Sequence, residues 1–330
     1  MSTLNPGILD TDVAADLVDL SVQDKFLKTP GSEHMQNFRK FCNVRTGNPD
    51  ETVKDTALSG GGSFQRKDEG QVRPKDRPIQ GFDKSATMVE YAVQFEVTKR
   101  MWIFGIKKNN MESLVSSYKT MAMERRERDA ELRLDNAMAT SYTSEEGVTI
   151  TTSGGNTKAL ISDAQTREDA GTDNNNEIGN GTVEMMDFEY DALKALFLRA
   201  AATKSLRGEQ MSIMPDTLVF KAGSAIAFRA KEINGATKIP GSNENDAKGT
   251  PAMKILELAY LSNAAYWWAF DSSMVNSQYG IQYVETQDIT LGSQIVNEDT
   301  GNFKYNVDAI YEYYHNDYRG WFGSDGTNAS

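Results

Sequence analysis

Two stretches of this sequence alternate apolar and polar residues with a period of two. Phe303, Tyr305, Val307, Ala309, Tyr311 and Tyr313 are separated by mostly polar residues, and Val89, Tyr91, Val93, Phe95 and Val97 are separated by Glu90, Ala92, Gln94 and Glu96. Such alternation sends one set of side chains into a core and the other toward water, so both stretches predict half-buried strands. With Phe64 and Val72 on an outgoing side, residues 89–97 read as the returning strand of a long hairpin. A lone two-stranded hairpin is marginal in water and needs a surface to rest on.

Between these strands the period changes. Asn109 to Ala139 (NNMESLVSSYKTMAMERRERDAELRLDNAMA) has no Pro or Gly and is rich in Met, Leu, Ala, Glu and Arg, which lose little freedom in a helix. Asn109 and Glu112 are spaced as a capping box, and a helix from Met111 to Ala139 would be roughly 43 Å long. Met111, Leu114, Val115, Tyr118, Met121, Ala122 and Leu132 fall in one stripe; Met123, Ala130, Leu134, Ala137 and Met138 gather on the opposite side. The block Glu124 to Asp129 lies between them, with Glu124 and Arg128 spaced for an i,i+4 pair. Two apolar sides with charge between suit a beam lying between two layers.

The remaining elements are shorter. Residues 1–50, with weak helical periodicity from Asp12 to Lys28 and a break at Pro30-Gly31, read as an arm that must lie on something else. Gly60-Gly61-Gly62 is a joint, followed by a polar, basic stretch with Arg66, Lys67, Arg73, Lys75 and Arg77. Past the long helix, strands are predicted at 148–152, 217–220, 266–270 and 279–286, helices at 188–206 and 222–233, and 253–261 is helical or extended. Asp169 to Gly181 and residues 234–251 read as polar surface loops. The fold class is α+β.

Charge narrows the partners. The chain of 330 residues carries 35 Lys and Arg against 47 Asp and Glu, a net charge of −12, which argues against general affinity for nucleic acid. Residues 66–108 are net basic and residues 240–330 net acidic, so one region complements another within a chain or between copies. The single cysteine, Cys42, excludes an intrachain disulfide, and the start of the sequence lacks a signal-peptide pattern. No apolar run approaches the roughly 20 residues of a membrane span, and folding in a cytosol is expected.

Catalytic patterns do not emerge. His34 and His315 sit in unrelated contexts without ligand spacing. Asp173, Asn175 and Glu177 mimic part of a calcium loop, but Ile178 stands where such a loop requires Gly. Neither glycine cluster is followed by the Gly-Lys-Ser/Thr of a phosphate loop, and no Gly-x-Ser-x-Gly elbow is present. No enzyme, cofactor or metal site is expected.

The order of arm, glycine joint, basic hairpin, long helix, mixed domain and returning terminal strand resembles the major capsid proteins of tailed phages, the HK97-like fold. Two stretches carry the resemblance: VEYAVQFEVTKRMWIFGIKKNNMESLVSSYKTMAMERRERDAELRLDNAM and FKYNVDAIYEYYHNDYRGWFGSDG. It implies an N-terminal arm (1–50), an extended loop (51–100), a peripheral domain with the spine helix (101–165), an axial domain (166–284) and a peripheral closing strand (285–330). The site residues are Arg66, Lys67, Arg73, Lys75 and Arg77 as inter-subunit contacts at the loop tip, Val89, Tyr91, Val93, Phe95 and Val97 on the loop strand, and Leu114, Tyr118, Arg125, Arg128 and Leu132 on the spine helix. It further implies a virion protein, assembled in the host cytoplasm, that forms the hexamers and pentamers of an icosahedral shell. Its other partners would be separate scaffolding, portal and decoration proteins and DNA packaged without specific binding. Some members of the family crosslink through a loop lysine. Lys67, Lys75 and Lys84 lie in that region, but no partner is identifiable. Two alternatives stand beside this reading: an encapsulin-type compartment, and, more weakly, a hydrolase with scattered carboxylates.

Overall fold

The computed structural model describes residues 22–31, 33–58, 66–73, 75, 80–98, 108–169, 171–179, 187–235, 253–277, 279–297 and 299–326. The expectations for residues 1–21, the triple glycine, Phe64, Arg77 and most of the 234–251 loop lie outside the described residues, as do those for the side chains of His34, Asn109, Met111 and Glu112.

In chain order the elements are α1 (22–28), α2 (Phe38–Phe41), β1 (Asn43–Thr46), β2 (Thr52–Leu58), β3 (Gln80–Thr87), β4 (Val89–Val97), α3 (Lys108–Asp135), β5 (Ser141–Thr143), β6 (Thr149–Thr151) and α4 (Tyr190–Ala202). They continue with β7 (Thr217–Lys221), α5 (Ala225–Gly235), β8 (Lys254–Leu258), β9 (Trp267–Phe270), α6 (Ser272–Asn276), β10 (Ile281–Leu291), β11 (Ile295–Val296), β12 (Phe303–His315) and β13 (Trp321–Ser324). The described residues are α+β, with two larger sheets, the two-stranded pairs β2-β3 and β5-β6, and one long helix.

The first sheet is built on β12. One of its edges takes β4, from Phe303↔Val97 to Tyr311↔Val89, and the other takes β10, followed outward by β1 in parallel. The second sheet runs β13-β9-β7-β8, with α5 as the crossover between the parallel strands β7 and β8. Residues on β10, β12, β7, β8 and β9 contribute to one core, which α3 enters through Val115, Ala130 and Leu134, all fully buried. A second core under α4 and α5 is centred on Leu196, Phe220 and Trp267.

The pairing of β4 corrects the expected hairpin. Its alternation is real, but its partner is β12, more than 200 residues away, and the hairpin is β2 with β3, from Thr52↔Thr87 to Leu58↔Gln80. A half-buried strand signal tells which face is covered, not what covers it. Here the cover is the chain's own helix: Phe95 stacks between Tyr118 (4.6 Å) and Tyr305 (5.3 Å), and Tyr91 stacks on Tyr311 at 4.5 Å.

The long helix ends at Asp135, four residues earlier than expected, because the backbone tightens there with Ala137 N–H bonding to the Leu134 carbonyl. Its charged block is not a solvated strip. Arg126, Glu127, Asp129, Glu131 and Arg133 are all buried. Enclosure is tolerated because most of these charges meet a fixed partner. Arg126 pairs with Glu285 (3.4 Å) and Asp288 (2.8 Å), Arg133 with Glu312, and Asp129 accepts from Tyr311 Oη (2.9 Å). The i,i+4 pair formed is Arg125–Asp129, while Arg128 turns to Glu145. The helix is thus a beam joined to both sheets, with Asp135 accepting from Ser262 on the β8–β9 connection.

The polar segment 171–179 is likewise not a surface loop. Asn174 and Asn176 are buried, and Ile178 is fully so. The Asn176 side chain accepts from Ser162 N–H (2.9 Å) and donates to the carbonyls of Leu160 (2.7 Å) and Trp321 (2.9 Å). Asparagine supplies both donor and acceptor, so it satisfies irregular backbone where no ladder runs. The boundary expected at residue 284 falls inside β10, and β13 returns the chain to the second sheet after β12 has closed the first.

Candidate interaction surfaces

The β2–β3 hairpin is held at its root and free at its end. Asn316 Nδ2 donates to the Asp55 and Phe82 carbonyls, each at 3.3 Å, spanning both strands. The Asp55 carboxylate accepts from Tyr314 Oη (2.7 Å) and from the Arg45 guanidinium. Burial works against that carboxylate, but the bonds from Arg45 and Tyr314 outweigh it and hold its pKa below the usual range. Lys84 Nζ donates to the Ser153 carbonyl (2.7 Å), and Val53 and Met88 pack on Ala86, Val284 and Tyr314. At Gly81 a Cβ would stand 2.9 Å from Ala57 Cβ and 3.0 Å from Leu206 Cδ1, so glycine lets the strands and the turn after α4 approach.

Beyond Gln80 the described residues have left this anchorage. Arg66, Lys67, Arg73 and Lys75 are all exposed, and Val72, at 86% exposure, is among the most exposed large apolar side chains described. Arg66 pairs only loosely with Asp68, at 3.4 Å. Four of the five cations expected at the tip are therefore exposed; Arg77 is outside the described residues.

The residues expected on the loop strand lie elsewhere. Phe95 and Val97 are buried against α3, Tyr91 and Val93 are half-buried, and Val89 is 40% exposed at the strand's start. On α3, Leu114 is exposed, Tyr118 and Leu132 are half-buried, and Arg125 lies over the Tyr91 ring at 5.6 Å. Between α3 and β4/β12 runs a groove of about 350 Å³, whose lining includes the apolar Tyr91, Val93, Met121, Ala122, Val307 and Ala309 and the acidic Glu124, Glu146 and Asp308. On the second layer, Leu198 of α4 and Phe228 of α5 are exposed by 64% and 58%. The sequence reading missed these two, and also the root residues Arg45, Asp55, Tyr314 and Asn316. The root is assembled from three distant segments, so only Asp55 and Arg45, ten residues apart, carried a local signal.

His315 is enclosed; burial, then Arg133 and Lys84, push its pKa down to about 3, which keeps it neutral. No group of three or more His, Cys, Asp or Glu among the described residues is arranged to hold a metal ion. No described helix is long and apolar enough to cross a membrane.

No protein-family model matches the sequence, and no curated protein does. Among solved structures, the chain is similar to the capsid of Myoviridae Phage XM1, with 12% identity over 97% of this chain and 99% of that one and a TM-score of 0.49. It is similar to the capsid of a native GTA particle, with 12% identity over 98% and 93% and a TM-score of 0.48. A virus-like particle from Pyrococcus furiosus aligns with 11% identity over 94% and 98% and a TM-score of 0.45.

Proposed function

We propose that this chain is a major capsid protein of the HK97-like class, whose copies close into an icosahedral shell around the double-stranded DNA of a tailed phage. The observation that carries the reading is the hairpin: a rigidly rooted projection whose basic, polar end has left its own chain's anchorage. Such a projection gains stability only by lying on another surface, and in a closed assembly of identical subunits each copy supplies that surface to the next. In this reading β2 and β3 with their connection form the extended loop, α3 and the first sheet form the peripheral domain, and the second sheet with α4 and α5 forms the axial domain. The role is structural rather than catalytic. Electron microscopy of the protein produced with its neighbouring genes tests the reading.

The partners follow from charge. The −12 per copy makes the shell wall repel a duplex, so packaged DNA slides past it instead of adhering. Isolated subunits are expected to leave the anisotropy of a labelled duplex unchanged at physiological salt. Micromolar binding would contradict this. Scaffolding, portal and decoration proteins are the further partners in this reading, with assembly in the host cytoplasm and residence in the virion.

A further inference from the structure

The long helix carries two carboxylates that neither the fold's ion pairs nor the shell reading uses. Glu127 is 0% and Glu131 1% exposed, one turn apart on α3. Each holds a different segment by its backbone. Glu127 Oε2 accepts from the Phe38 N–H (3.2 Å) at the start of α2, and Glu131 Oε2 accepts from the Tyr260 N–H on the β8–β9 connection. The other oxygen of each, Glu127 Oε1 and Glu131 Oε1, is buried without a well-formed hydrogen bond; the Asn37 N–H near Glu127 and the Ala259 and Leu261 N–H groups near Glu131 favour the charged form, but burial outweighs them. A carboxylate in that position gains a proton more readily than it keeps a charge.

The surroundings do not neutralise the pair. Around Glu127 stand Arg126 and Glu131 on its own helix, Lys40 from α2 and the buried thiol of Cys42. Arg126 is committed to Glu285 and Asp288, and Lys40 to Asn37 Oδ1 at 2.8 Å. Around Glu131 stand Glu127 and, from the connection, Tyr260, whose ring is faced by Arg128 at 5.5 Å and approached by Glu124. No described cation makes an ion pair with either carboxylate.

We infer that Glu127 and Glu131 form a proton-dependent latch that closes the α2 segment and the β8–β9 connection onto the long helix together and loosens both when the pair is ionised. Burial raises both groups from the ordinary carboxylate value to about 7. The closed state therefore binds more protons than the open one between about 4.5 and 7. The contribution to closure is complete below the lower value and is lost as pH rises through the upper one. Because the two are one turn apart, ionising one further disfavours ionising the other, and the segments respond jointly.

The test uses the full 330-residue chain. Amide hydrogen exchange at Phe38 and Tyr260, corrected for the intrinsic pH effect, is expected to show protection falling by about 10²-fold between pH 5 and 8. The Glu127→Gln, Glu131→Gln double variant should show no such fall, and each single variant should flatten it. Carbon-13 titration of the wild-type glutamate carboxyls gives an answer even if the variants fold poorly: two groups titrating near neutrality are expected. Ordinary carboxylate values, a flat wild-type profile, an unchanged slope in the double variant, or the same slope in core amides of β12 would each overturn the latch.

Discussion

Replacing Arg66–Lys75 with a two-residue turn is expected to give a folded, soluble subunit that no longer closes shells. The cut spares β2, β3 and every root contact, including Asn316 to both strands and Tyr314 to Asp55. Urea unfolding should therefore stay within about 0.5 kcal/mol of the parent. What is lost is the tip: one apolar side chain, Val72, and the cations Arg66, Lys67, Arg73 and Lys75. Burying a valine contributes about 1.5–3 kcal/mol and each exposed ion pair about 0–1. A loss of about 2–4 kcal/mol per copy lowers each subunit–subunit constant by about 30- to 1,000-fold. A closed assembly repeats that loss at every interface. On β4, Phe95 and Val97 add nothing to this docking, because α3 and β12 of their own chain already bury them. Tip docking accordingly leans on charge, and assembly should weaken as well as slow in high salt. Normal shells from the trimmed protein would remove the hairpin from the account.

Trp321→Ala is expected to cost about 3–5 kcal/mol, read as a lower urea midpoint at an unchanged slope. Trp321 is fully buried and stacks on Phe270 at 4.8 Å, in the strand that returns the chain from the first sheet to the second. Its carbonyl accepts from Asn176, and the next turn of chain pairs Ile178 N–H with the Gly323 carbonyl at 2.9 Å. Removing the ring leaves a cavity beside Phe270 and Gly280. The indole Nε1 has no partner and lies over Gly280, where a Cβ would stand only 1.9 Å away. Trp321→Phe keeps the stack and discards that unpartnered donor, so its cost should be about 1–2 kcal/mol. A loss under about 1 kcal/mol for the alanine variant would show that β13 does not tie the sheets.

The elements legible in the sequence were those whose signal is local. The long helix is a run without Gly or Pro, and β12 is an alternation sustained over a whole strand. Pairing was not legible: nothing in VEYAVQFEV distinguishes a partner at Phe64–Val72 from one at Phe303–Tyr311. Nor was the burial of Arg126, Glu127 and Glu131, because the amphipathic pattern assigns charge to water, whereas these charges meet segments from three other parts of the chain. Asn174 and Asn176 read as loop residues for the same reason, since a polar composition does not reveal that each donor and acceptor finds backbone. Of the candidate surface, the basic tip was visible as a cluster of cations after a triple glycine. Its root was not, because Arg45, Asp55 and Asn316 meet only once β2, β3 and the end of β12 are in place.

The proposed shell stands or falls on what the protein builds. Cryo-electron microscopy of particles produced with the neighbouring genes is expected to show closed icosahedral shells of pentamers and hexamers, containing DNA when the packaging genes are present. Within them, the β2–β3 hairpin of each copy should cross onto the next copy. Only monomers or small rings under every condition, or closed shells whose hairpins fold back on their own subunits, would contradict it.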